Sequence, residues 1–283
     1  MSSLEVKPQN ECIESTKKWW DITIDIRAGL ACIVFFAIKL SLLDFRFGDG
    51  NAYLYDAYLL TQGAVPYRDF LHADFPVQIG LLALIRPLFR NWIMGYHLVP
   101  VSMEIMTAYL LYLILARRGN AWSWLAPSIH LFSFTVLSTS DFITGVQMTC
   151  FFTVLGWYLY DCERPIATGM SFALAFLTKM YTLPAAAIFG VVDLYNKRFN
   201  QAFKILLSTL MTVAAVISPF AILAFQPMLE QTVLLHFNRP AGLNKFEILL
   251  FYAHNEWALL LISLPGMWIC RKQPIVLPYL TTW

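Results

Sequence analysis

Residues 44–74 set five aspartates, Asp44, Asp49, Asp56, Asp69 and Asp74, against two arginines, Arg46 and Arg68. Carboxylates in such numbers can take protons from hydroxyl groups or hold metal ions. If residues 50–62 are helical, Asp49, Tyr53 and Asp56 stand at i, i+4 and i+7 and share one face. Asp49 then has two readings that can coexist: a helix N-cap, or a base with lone pairs to spare. Gly63 reads as the stop of that helix and Pro66 as the turn after it. His72 is either a hydrogen-bonding group for a substrate or the filler of a polar niche. Arg68 is a salt-bridge partner for the neighbouring aspartates or a ligand-binding cation. Further along, Asp141 in "LSTSDFITGVQ" is a second acid, or only a helix cap. In "LLHFNRPAGLNKF", His236, Arg239 and Lys245 oppose the acidic stretch with positive charge. The planar fork of Arg239 suits phosphate, or the loop anchors at an interface.

The elements that must position these groups are apolar. Of 283 residues, 58% are hydrophobic and 13% charged, and the mean hydropathy is +0.59. That composition lies outside ordinary soluble domains and implies an integral membrane protein. A net charge of +2 spread in short clusters gives no basis for nucleic-acid binding. Five cysteines form neither a disulfide framework nor a metal-binding spacing. Residues 1–21 are polar, lack the cleavage site of a signal peptide, and are expected to be a cytoplasmic segment ahead of a transmembrane module over 22–283.

Runs 22–43, 94–116, 122–138, 145–160, 202–225 and 248–270 approach the length of about 20 apolar residues that crosses a bilayer. Basic pairs mark the cytoplasmic side: Lys17 with Lys18, Arg117 with Arg118, Lys197 with Arg198, Arg271 with Lys272. Residues 44–93, 139–144 and 226–247 then share the outer face. Run 166–196 has positive charge at both ends, so it must go out and return. It reads as two short helices broken near "TKMYTLP", with Lys179 at the turn and Pro184 favouring a break nearby. Residues 76–92, with Arg86 and Arg90 one turn apart around Pro87, read as a helix in the outer interface rather than a span.

With these residues in view, "DGNAYLYDAYLLTQGAVPYRDFLHADFP" resembles the first outer loop of the GT-C glycosyltransferases. Asp49, Tyr53, Gly63, Pro66, Tyr67, Arg68, Asp69, Phe70 and Pro76 carry the match. "TGVQMTCFFTVLGWYLYDCERPIATGMSFALAFLTKMYTLP" is similar to a segment of the polyprenyl-phosphate-mannose-dependent transferases, through Gly145, Gln147, Gly169, Lys179, Tyr181 and Pro184. Protein O-mannosyltransferase-like families share the pattern. The resemblance covers roughly residues 35–195. It implies an all-α polytopic transmembrane bundle of GT-C type whose long first outer loop carries juxtamembrane helices. It also implies an inverting transferase, mannosyltransferase-like, that moves a sugar from a polyprenyl-phosphate donor to a lipid or glycan acceptor on the outer face. A bacterial inner membrane is the expected location, with the endoplasmic reticulum membrane as the alternative.

In that reading Asp49 is the base and Asp141 a second carboxylate. Lys179 and Arg239 steady the lipid phosphate, and His236, His72, Tyr53 and Arg68 bind substrate. Gly50 stands where many members carry Glu, so no paired-acid motif supports a divalent metal. The chain ends within what reads as the start of a further span, so an incomplete module is expected. Two other classes stay open: a catalytically silent lipid-binding scaffold and a transporter or flippase. The second would need acids along a midplane path, where only Asp25 and Glu104 are evident.

Overall fold

Asp25 opens the first helix by accepting the amide of Arg27, and from there a computed structural model describes residues 25–44, 48–89, 92–238 and 244–270. About 80% of the described residues are helical, and there is no strand among them. The helices are α1 (Ile26–Ser41), α2 (Asp49–Thr61), α3 (Val77–Phe89), α4 (Leu98–Arg117), α5 (Leu125–Leu131), α6 (Phe134–Thr139), α7 (Val146–Asp161), α8 (Pro165–Thr178), α9 (Leu183–Tyr195), α10 (Phe199–Leu229), α11 (Leu235–Asn238), α12 (Lys245–Asn255) and α13 (Trp257–Cys270). A 3-10 turn, Ile93–His97, precedes α4, and Glu230–Leu234 forms a π turn after α10.

The central packing runs α4 on α7, α7 on α8, and α8 on α10. Ile114, Val154, Phe172, Phe189 and Ile205 fill the space between them. A second cluster, Phe35, Val101, Ala108 and Leu131, binds α1 and α5 to α4. A third, Ala57, Ile79, Leu82, Tyr96 and Ile143, seats the α2–α3 pair on the turn after α6. Arg86 ties that pair together: it donates to Thr61 Oγ1 at 2.9 Å and lies 4.7 Å over the Tyr58 ring.

Two helical stretches, Ile93–Arg117 and Phe199–Asn238, are long and apolar enough to cross a membrane. They are built differently. Of the most apolar window, 44% is buried in the first and 11% in the second. The second therefore turns Phe203, Leu206, Leu210 and Met211 outward instead of hiding them in a core.

Three expected features differ. The run 122–138 is two helices, α5 and α6, because Ser133 takes an extended backbone and caps α6 by accepting the Val136 amide. The run 248–270 breaks at Glu256, whose carboxylate instead accepts the Thr135 amide at 2.6 Å. The expected loop 226–247 is helical as far as Asn238. Pro227 lacks the N–H that would close the preceding turn, Ala224 departs from helical geometry, and the π turn follows. The break at Lys179 is present, with an extended backbone there, although it falls earlier than Pro184 alone would place it. Pro184 sits in the first turn of α9, where its missing donor costs nothing.

Candidate functional site

Three elements meet around Asp74: the α2–α3 connection, the Lys179 break, and the segment after α10. Asp74 Oδ2 accepts the Tyr53 hydroxyl at 2.6 Å and Lys179 Nζ at 2.5 Å. Lys179 also donates to the Tyr53 oxygen at 3.0 Å, and His236 Nε2 stands 3.9 Å from Asp74 Oδ1. Both charges of the Lys179–Asp74 pair are largely withdrawn from solvent. Burial first, and then the hydrogen bond to Asp74, push the Tyr53 phenol far above its usual range.

His72 is 1% exposed and places Nδ1 2.8 Å from Asp56 Oδ2, while its Nε2 has no partner. Gln231, on the π turn, clamps this loop to α10. Its oxygen accepts the His72 amide and its nitrogen donates to the Tyr67 carbonyl, each at 2.9 Å. Tyr67 holds a left-handed backbone, is buried, and sends its hydroxyl to the Asp74 carbonyl. Arg68 faces outward onto Asp69, its neighbour in sequence, at 2.8 Å. That hydrogen bond and the Val65 amide hold the Asp69 carboxyl down at about 2.

Asp49 lies apart from this cluster. It is the first residue of α2, with Gly48 in the capping position, so its charge complements the helix N-terminus rather than capping it. It is exposed and meets no hydrogen-bond or ion-pair partner among the described residues. With Gly48, Gly50, His97, Phe142, Ile143 and Thr144 it lines a cavity of 310 Å³. Gly50 packs closely on this wall: a Cβ there would stand 3.3 Å from Ile143 Cβ, so the Ile143 side chain would have to give by a few tenths of an ångström. Among the described residues no three His, Cys, Asp or Glu side chains are grouped to hold a metal ion.

Asp141, expected as a second carboxylate, is buried in an ion pair. Its carboxylate is 2.9 Å from Lys39 Nζ with both side chains about 5% exposed, and Lys39 also donates to the Leu137 carbonyl. Burial and pairing leave it a positioning acid, and its backbone carbonyl accepts from His97. Arg239 lies outside the described residues.

Asp74, Gln231, His97 and Lys39 were not singled out from sequence. Lys179 and Asp74 are separated by 105 positions and His72 and Gln231 by 159, so no local spacing joins them. Buried ionisable pairs are also more numerous than the sequence suggested. Glu104 meets His130 at 2.8 Å, and Asp193 accepts from Tyr160. No family model matches the chain, and no curated protein or solved structure is significantly similar to it.

Proposed function

We propose that the chain is a multi-pass membrane glycosyltransferase acting from its outer face on a polyprenyl-phosphate-linked sugar. The observation that carries this reading is Asp49: an unpartnered carboxylate at a helix N-terminus, opening on a cavity, within a stretch that resembles the GT-C outer loop. The outward apolar side chains of α1 and α10 suit a lipid surround.

In the proposed step the acceptor O–H gives its proton to Asp49 as its oxygen attacks the anomeric carbon. The bond from that carbon to the donor phosphate breaks, with inversion, and the lipid phosphate leaves as an anion. Lys179, with His236 beside the same carboxylate, is assigned to meet it. A hexosyl, mannose-like donor and a lipid or glycan acceptor follow from the resemblance, as does a bacterial inner-membrane setting.

The engagement of Lys179 by Asp74 and Tyr53, which take two of its three N–H donors, favours a second reading, a catalytically silent scaffold of the same build. The experiment is transfer of radiolabelled sugar from a panel of polyprenyl-phosphate sugars by the purified protein in lipid, wild type beside Asp49→Asn. Transfer by wild type and not by the variant supports the enzyme. Transfer by both keeps the class and removes Asp49 from the chemistry. No transfer from any donor, with an acceptor extract present and the protein folded, leaves the scaffold.

A further inference from the structure

Between α5, α13 and the C-terminal halves of α4 and α7 lies a space of 660 Å³ that the proposed reaction does not use, well within the about 300–1,000 Å³ of small-molecule sites. Leu111, Ile114, Leu125 and Ile129 give it apolar walls, with Trp122 and Trp157 among them. The α12–α13 segment is held against α6 because Glu256 accepts the Thr135 amide and Phe251 meets the Phe134 ring edge-on. Trp122 is 67% exposed and Ile129 44%, so the space opens sideways, away from the bundle. His130, Ser133 and Ser263, polar groups on the wall, are already engaged. His130 turns Nε2 to Glu104 at 2.8 Å, and the two serine hydroxyls each donate at 2.9 Å to a carbonyl one turn back. An apolar wall of this kind stays dry, and hydrocarbon suits it.

In a bilayer, hydrocarbon gains nothing by moving from lipid into such a space, since both are apolar. A chain is kept there by what its other end meets, and that end of the space is charged. The Arg118 guanidinium lies 5.7 Å over the ring of Trp157, which lines the space. Arg27 lies 4.5 Å over Trp124, whose ring is 6.5 Å from that of Trp122. Both arginines reach solvent, with side chains 32% and 56% exposed. Arg118 gives an N–H to Asp161 at 2.8 Å, and Arg27 gives two to Asp25. A guanidinium has five, so a phosphate can be met by either fork without breaking an existing pair. Tryptophan beside arginine at the ends of apolar helices is also the pattern of a cytoplasmic membrane interface.

We infer that this space holds one acyl chain of an anionic phospholipid from the cytoplasmic leaflet, with the headgroup phosphate met by Arg118 and by Arg27 on its Trp124 ledge. A choline headgroup sets a quaternary ammonium beside its phosphate, and two guanidiniums repel it, so the anionic class is selected. The inference rests on the membrane part of the proposed function and not on sugar transfer.

The test places the full chain in phosphatidylcholine bilayers containing phosphatidylglycerol as the minor component, releases it in mild detergent and weighs it intact by native mass spectrometry. One phosphatidylglycerol should remain per chain in preference to phosphatidylcholine, and inorganic phosphate should not displace it. Arg118→Gln should weaken that retention about fivefold, the worth of one arginine facing anionic lipid. Ala126→Phe, which puts a ring into the space, should abolish it, whereas Lys197→Gln, at the α9–α10 link, should leave it unchanged. Equal retention of both lipids, displacement by inorganic phosphate, retention that survives Ala126→Phe, or an equal loss in Lys197→Gln overturns the inference. Should Ala126→Phe fail to fold, bromine-labelled acyl chains decide. Brominated phosphatidylglycerol should quench wild-type tryptophan emission more than brominated phosphatidylcholine does, and Trp157→Phe should shrink the difference. Equal quenching by the two lipids sinks the site. A chain stripped from the bilayer by alkaline carbonate loses this inference and the membrane part of the proposed function together. One that stays in the bilayer without selecting lipid loses the inference alone, and lipid selection without sugar transfer from any donor leaves it standing.

Discussion

Asp74 and Asp49 belong to the same acidic stretch and end in opposite circumstances. Asp74 is 7% exposed and receives a phenol and an ammonium, whereas Asp49 is exposed, unpartnered among the described residues, and faces open space. The difference teaches that acid count says little about reactivity. A carboxylate that accepts from Lys179 and Tyr53 holds three chain segments together, and its lone pairs are taken up by them. One at a helix start with no partner keeps its lone pairs for something that arrives. The acidic stretch is thus divided into a closed region that stabilises and an open one that can bind.

Four substitutions or conditions can break that contrast. The largest effect is expected at Asp49→Asn, which should lower sugar transfer by about 10²–10⁴-fold while leaving the melting temperature in lipid unchanged. A large drop in melting temperature there would remove the distinction between the regions. Lys39→Met should act in the reverse sense. It removes the Lys39 partner of the buried Asp141 carboxylate and should cost about 3–5 kcal/mol of stability, read by thermal unfolding in lipid. Removing one hydroxyl from the closed region, Tyr53→Phe, should cost about 1–3 kcal/mol, since it leaves Asp74 and Lys179 each one bond short. Transfer that falls more than stability in this variant would place Tyr53 in the open region instead.

The smallest effect concerns acid. The Asp69 carboxyl is depressed by Arg68 and the Val65 amide to about 2. Its contribution is therefore fully present above the ordinary aspartate range and fades as pH falls through about 2. The α2–α3 connection should show this loss by proteolysis or hydrogen exchange at low pH, and Asp69→Asn should abolish that portion of the acid dependence. Arg68 and Asp69 are solvent-exposed, so the change should be slight.

Local signals carried the parts of the fold that are local. The helix at 49–61, its stop at Gly63, and the interruption at Lys179 each follow from residues within a turn or two of one another. The run 122–138 was misread as unbroken because apolar content outweighed Ser133, whose side chain competes for the backbone and starts a new helix. Gln231 was hidden inside an expected loop, since nothing in its neighbourhood foretells a π turn aimed at Tyr67 and His72. Of the candidate groups, Asp49 and Lys179 stood out by position. Their distinct fates did not, because the partner that occupies Lys179 comes from a distant segment that only tertiary packing delivers.

The short α8 has a bearing on how such a chain is made. Its 14 residues rise roughly 21 Å at about 1.5 Å each, less than the about 30 Å of a hydrocarbon core. In the proposed membrane setting α8 cannot be threaded across by itself, and it must enter together with α9 as a hairpin tipped by Lys179. Synthesis delivers Asp74 first and Lys179 105 residues later, so the early acid waits in water until the hairpin arrives. Their union is then a latch closed late in biogenesis, added to the packing of α2 and α3 on Ile143 and completed by the Gln231 clamp.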